Sequence, residues 1–389
     1  MDYSKLLSSK ATAIKPSGIR KFFDIAAEMD DVISLGVGEP DFKTPWLVRQ
    51  AAIESLQKGK TWYTANAGMK ELRVEIAKYL NRRFNLTYDP LGEILVTVGG
   101  SEAIDAMIRA VVEPGDEVLI PEPCFVAYAP IAYLTGGVPI SIPTYAEDEF
   151  RLNPTILKQK ITKKSKLLIF PFPNNPTGAI MNREHLKEIA DVLRGTDILV
   201  LSDEIYAELT YEGSHTSIAE LPGMWERTVV VNGFSKTYAM TGWRLGYAAG
   251  PHEIIAQMTK IHQFGIMSAP TTAQYAAITA LREGDEAILN MKTEYNMRRQ
   301  LLVSELNRLG LTCFEPKGAF YVFPSIKSTG LTSDEFCEKL LYSQKVAVIP
   351  GTAFGECGEG YVRISYSYSI THLIEAIKRI EMFLTEHNI

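Results

Sequence analysis

The stretch from residue 166 to 232 carries three short apolar runs, KLLIF (166–170), ILVLS (198–202) and TVVVN (228–232). Between the first two lies REHLKEIADVLRG (183–195), an amphipathic segment whose closing Gly195 is a C-cap signal. None of the runs shows strict polar alternation, as expected of strands covered on both faces of a sheet. Working outward, ILVTV (94–98), EVLI (117–120), VPISI (138–142) and LGYAA (245–249) continue the rhythm. Seven runs alternating with helical stretches predict an α/β fold, with a mostly parallel seven-stranded sheet and helices on both faces.

Beyond Ala249 the pattern changes. A long helical region, densely charged around 287–309, leads to an apparent strand pair around CFEPKGAFYVFP (313–324). A final helix follows at THLIEAIKRIEMFLTEH (371–387). This predicts a large domain over 45–285 and a smaller α+β domain formed by 1–44 together with 286–389. Ser17-Gly18-Ile19-Arg20 reads as a helix start, and Arg20 is assigned no contact.

The chain has 389 residues, 46% of them hydrophobic, which is enough for two cores. A formal charge of −6 with dispersed basic residues argues against a nucleic-acid or anionic-membrane partner. The tightest basic run, Lys163-Lys164 with Lys166, reads as a solvated loop before a strand. Four cysteines without a CxxC pair and six histidines without HExxH predict no metal site. The start MDYSKLLSSK has no apolar leader core, and no run reaches about 18 apolar residues. With free thiols in a chain of this size, the expectation is a soluble, cytoplasmic protein.

In open parallel sheets, ligands sit outside the carboxyl ends of the strands. Gly99-Gly100-Ser101 follows ILVTV and opens a helix, Asn175 lies beyond KLLIFPF, Asp203 follows ILVLS and Lys236 follows TVVVN. Four strand ends thus deliver a phosphate cradle, an amide, a carboxylate and an amine to one edge. Pyridoxal 5′-phosphate asks for this set: an amine for its aldehyde, a carboxylate for its ring nitrogen, helix-start amides for its phosphate. A lone lysine is ordinarily a surface residue. Lys236 instead sits in a small, hydroxyl-rich turn after a buried run, where desolvation or cationic neighbours would lower its pKa. Asp203 has a second reading as a helix N-cap beside Ser202.

Eight ordered motifs resemble the class I/II pyridoxal-phosphate-dependent aminotransferases of the aspartate and aromatic type. They are LGVGEPDF (35–42), YTANAG (63–68), VTVGGSEAI, FPNNPTG (172–178), SDEIY, SKTYAMTGWRLGY, PKGAFYVFP and YVRISYS (361–367). The resemblance covers essentially the whole chain and implies the pyridoxal-phosphate-dependent transferase type I fold. It makes Lys236 the Schiff-base lysine and acid–base, Asp203 the partner of the ring nitrogen, and Asn175 and Tyr206 the partners of the ring oxygen. Phe125 would stack on the ring, with a buried core phenylalanine as the alternative. The phosphate would be held by Gly100, Ser101, Arg244 and Tyr63, the last reaching from a second subunit of a homodimer. Many members carry a phosphate-binding serine where this chain has Gly233, and Ser235 is the candidate substitute.

Arg363 would clamp the substrate α-carboxylate with its planar fork, and Gly38 and Asn175 would line the same place. The implied activity is transfer of an amino group from an amino acid to a 2-oxo acid such as 2-oxoglutarate, by a ping-pong mechanism. A distal carboxylate would need a second cation, and no motif offers one, whereas Tyr63, Phe125, Phe320 and Tyr321 offer aromatic walls. The expectation is an aromatic or other uncharged donor, with aspartate or N-acetyl-diaminopimelate as the alternative. Two further alternatives share these residues: a carbon–sulfur β-lyase, and a non-enzymatic regulator, which would need a DNA-binding segment that does not fit before Pro16.

Overall fold

The structure is a computed structural model that describes residues 1–387 apart from 2, 17 and 19–28. The helix start expected at 17–20, including Arg20, therefore lies outside the described residues except for Gly18.

A two-residue strand, β1 (Ile33–Ser34), precedes the central sheet. That sheet is built from β2 (Ile94–Thr97), β3 (Glu117–Glu122), β4 (Val138–Pro143), β5 (Ser165–Phe170), β6 (Leu199–Asp203), β7 (Thr228–Gly233) and β8 (Gly246–Ala249), in the order β2-β8-β7-β6-β5-β3-β4. Every anticipated run is a strand, within two residues at each end. Neighbours from β4 through β7 pair in parallel, while β8 runs antiparallel to both β7 and β2. One expectation is corrected at the edge. VPISI was read as covered on both faces, but β4 is the last strand and Val138 is 44% exposed.

The side-chain alternation explains the helices on both faces. Leu167, Ile169, Leu201, Val229 and Val231 pack on one face with the helices Gly99–Val111 and His252–Gly265. Leu168, Phe170 and Val200 point the other way, toward Leu186, Ile189 and Leu193 of the helix Arg183–Leu193. On that opposite face, Val230 and Tyr247 meet the helices Lys70–Phe84 and Thr271–Glu283.

The C-terminal part contributes the long helix Asp285–Arg308, then β9 (Tyr321–Val322), the helix Ser333–Gln344, β10 (Val346–Ala347), β11 (Ile349–Pro350), β12 (Val362–Ser365) and the helix Ile370–Glu386. β11, β12 and β9 form an antiparallel sheet, and β10 pairs in parallel with β1. The strand pair expected within 313–324 does not form. Only β9 is a strand there, and it pairs with β12. The upstream backbone is engaged elsewhere: the N–H groups of Lys317 and Gly318 donate to Gly178 O at 3.0 and 2.9 Å, and Lys317 O accepts from Tyr211 N at 2.8 Å. A hairpin would need those groups for its own ladder.

Candidate active site

The carboxyl ends of β5, β6 and β7, the start of the helix Gly99–Val111, the strap of residues 36–39 and the β9–β12 pair enclose a cavity of about 350 Å³. Gly38, Gly100, Ser101, Phe125, Asn175, Asp203, Tyr206, Ser235, Lys236, Arg244 and Arg363 all line it. Eleven of the twelve anticipated residues therefore meet in one place. The twelfth, Tyr63, does not line the cavity of its own chain and is 77% exposed.

Lys236 sits one turn past β7 in the short helix Phe234–Thr237. Its ammonium donates to Gly38 O at 2.5 Å and lies 5.7 Å from the centroid of the Phe320 ring. Burial lowers its pKa from the ordinary lysine value to about 8; Glu39 opposes the shift, while Arg363 and Arg244 add to it. An amine with that pKa has a neutral, nucleophilic fraction of roughly a tenth at pH 7, far more than an ordinary lysine.

Asp203 is the last residue of β6, not a helix cap. Its Oδ2 accepts from the Tyr128 hydroxyl at 2.7 Å, and its Oδ1 accepts from Ile205 N at 3.2 Å. Ser202 donates instead to Glu204. Burial pushes the Asp203 carboxyl pKa up, against the pull of those two hydrogen bonds. Among the described residues no cation pairs with it, so a ligand bearing a cation would relieve the desolvation.

Arg363 presents the opposite case. It is 2% exposed and lies between the rings of Tyr321 and Phe354, at 4.5 and 4.7 Å. Nη1 donates to Asn175 Oδ1 at 2.8 Å, Nη2 donates to Gly36 O, and Nε has no partner among the described residues. Burial lowers its pKa, and no carboxylate pairs with it among the described residues. A cavity with a buried carboxylate lacking a cation and a buried guanidinium lacking an anion fits a ligand carrying both charges.

The remaining groups are set by backbone geometry. Gly99 has φ +77°, a left-handed conformation that favours glycine, and a Cβ there would lie 2.7 Å from the Arg244 guanidinium. Gly38 is equally constrained: a Cβ would meet the Tyr321 hydroxyl at 2.2 Å. At position 233 a Cβ would stand 2.9 Å from Gly246 Cα. A serine does not fit there in this chain without moving β8. Ser235 faces the cavity instead. Tyr206 is buried, and its hydroxyl meets that of Tyr321 at 2.8 Å.

Sequence reasoning missed Tyr128, whose hydroxyl holds Asp203 although 75 residues separate them. It follows Phe125 by three positions, and its ring packs edge-on to Phe125 at 5.6 Å. That spacing after a strand end was the available signal. Thr241 and Glu39, which hydrogen-bond each other at the cavity mouth, were also unassigned.

Residues 30–380 match the aminotransferase class I and II family. An aspartate aminotransferase of Pyrococcus abyssi is 50% identical over 98% of both chains. An aromatic-amino-acid aminotransferase of Thermococcus litoralis is 46% identical, again over 98% of both. The crystal structure of an aromatic aminotransferase from Pyrococcus horikoshii superposes with a TM-score of 0.91 at 47% identity, covering 95% of this chain and 99% of that one. This likeness over nearly the whole length places the chain: it belongs to the class I and II aminotransferases.

Proposed function

We propose that the chain binds pyridoxal 5′-phosphate at this cavity and moves an amino group from an uncharged, preferably aromatic, L-amino acid to a 2-oxo acid such as 2-oxoglutarate, by a ping-pong mechanism. The observation that carries this reading is the convergence of Lys236, Asp203 and Arg363 on one cavity, where among the described residues neither Asp203 nor Arg363 has an ion-pair partner. When bound, the cofactor supplies an aldehyde for the amine and an electron-withdrawing ring.

The protein's own groups do the rest. Asp203, held by Tyr128, would offer its carboxylate to the ring nitrogen. Asn175 and Tyr206 would hydrogen-bond the ring oxygen, and Phe125 would pack on the ring. The N–H groups of Gly100 and Ser101, with Arg244 and Ser235, would hold the phosphate at the helix start. Arg363 grips the α-carboxylate, and Gly38 lets the backbone approach it. Lys236, with a pKa of about 8, can take up and return the substrate α-proton near neutral pH. Tyr63, exposed on its own chain, serves the phosphate of a partner subunit in a homodimer.

The large domain is taken as 45–285, and 1–44 with 286–389 as the smaller one. This is supported by the central sheet lying wholly within the first and the three-stranded sheet wholly within the second. A cytoplasmic location fits the four free cysteines, and no described helix is long and apolar enough to cross a membrane.

The donor class rests on charge. Among the described residues the lining cations are Lys236, Arg244 and Arg363, each already assigned, and Glu39 also lines the cavity. A second substrate carboxylate would be desolvated without a partner, at a cost of several kcal/mol. Measuring kcat/KM for phenylalanine, tyrosine and aspartate with 2-oxoglutarate tests this. Both aromatic values should exceed that of aspartate, and the reverse order would refute the donor assignment.

A further inference from the structure

Outside the cavity, a titratable pair, one member buried and the other partly buried, has no part in the chemistry above. Glu102 lies in the first turn of the helix Gly99–Val111, next to Ser101. One oxygen, Oε2, folds back to accept Val98 N, closing the turn that delivers Gly99 and Gly100. The other, Oε1, meets His262 Nδ1 at 2.5 Å. His262 comes from the helix His252–Gly265, is 1% exposed, and its Nε2 is buried without a partner among the described residues. Neither residue lines the cavity.

A carboxylate at a helix start is ordinarily favourable, because it complements the helix dipole. Here the same helix start is where a phosphate would bind, so Glu102 and the ligand are two anions at one positive end. We infer that His262 is a positioning residue for the anion site: it binds the second oxygen of Glu102 and keeps the carboxylate turned onto Val98 N. The phosphate then meets a closed helix turn and no free carboxylate. The inference rests on the proposed assignment of Gly100 and Ser101 to phosphate.

A comparison of ligands separates this role from simple stapling of two helices. The affinities of the cofactor-free protein for pyridoxal 5′-phosphate and for pyridoxal, which lacks the phosphate, are measured by calorimetry, alongside the melting temperature. In His262→Ala, pyridoxal 5′-phosphate affinity should fall about tenfold or more, as expected when a hydrogen-bond partner of a mostly buried carboxylate is removed. Pyridoxal affinity should change less than threefold. The double variant His262→Ala/Glu102→Gln, which removes the charge but can still accept from Val98 N, should recover most of the loss. If His262→Ala does not fold, His262→Gln takes its place in both the single and the double variant.

Equal losses for both ligands, or a double variant as weak as the single one, would overturn the inference and leave only a structural staple. If the unmodified protein itself bound the two ligands equally, the phosphate assignment at Gly100 and Ser101 would fall first, and this inference with it.

Discussion

Replacing Arg363 with lysine keeps the positive charge and removes the fork. In the structure the guanidinium donates from both terminal nitrogens, to Asn175 and Gly36, and lies between two rings at 4.5 and 4.7 Å. A lysine ammonium, on a compact head, can serve one of those directions and forms no planar sandwich. Losing one charge-assisted hydrogen bond to the substrate costs about 1.5–3 kcal/mol. The weakened ring contacts add roughly 0.5–1 kcal/mol. The sum, about 3 kcal/mol, corresponds to a fall in kcat/KM on the order of 100-fold. Steady-state kinetics with phenylalanine as donor reads this directly. Phenethylamine, the same side chain without the carboxylate, gives the control, because its residual turnover should change little. A fall below tenfold for the amino acid, or an equal fall for the amine, would show that Arg363 does not hold the α-carboxylate.

Two further outcomes follow from the same geometry. The Lys236 ammonium titrates near pH 8 in the folded chain, below the ordinary lysine value near 10.5. Between those values the unfolded chain holds more protons, so the penalty for burying the charge is full below pH 8 and disappears as pH rises through 10.5. Cofactor-free Lys236→Ala should accordingly be more stable than the unmodified protein at pH 7, with the gap closing toward pH 10.5 in denaturant titrations. A gap independent of pH would contradict the buried-ammonium assignment. For assembly, mixing Lys236→Ala subunits with Tyr63→Phe subunits should yield hybrid dimers in which one site is free of both defects, restoring activity that neither parent shows. A fully active monomer in sedimentation would refute the shared site.

The sheet was legible because strands covered by helices are written as apolar runs, and β5, β6 and β7 have almost no exposed side chain to interrupt them. Direction was not legible. A four-residue run such as that of β8 carries no mark distinguishing parallel from antiparallel pairing, and β8 runs against both neighbours. Edge position was also hidden, since VPISI is apolar by composition although Val138 is exposed. The polar residues at strand ends could be read because topology fixes which end of a parallel strand faces the ligand. Tyr128 could not be assigned in that way: its partner Asp203 lies on another strand, and only packing brings the hydroxyl onto the carboxylate. The hairpin misread at 313–324 failed for the same reason, as the fate of the Lys317 and Gly318 N–H groups depends on the distant Gly178.

The central claim is that Lys236 is the amine that holds the cofactor. Incubating the protein with pyridoxal 5′-phosphate, reducing with borohydride, and mapping the labelled peptide by mass spectrometry tests it most directly. The account predicts one pyridoxyl group per chain, on the peptide containing Lys236, and no stoichiometric label in Lys236→Ala, because no other lysine lines the cavity among the described residues. A stoichiometric label on any other lysine would contradict it.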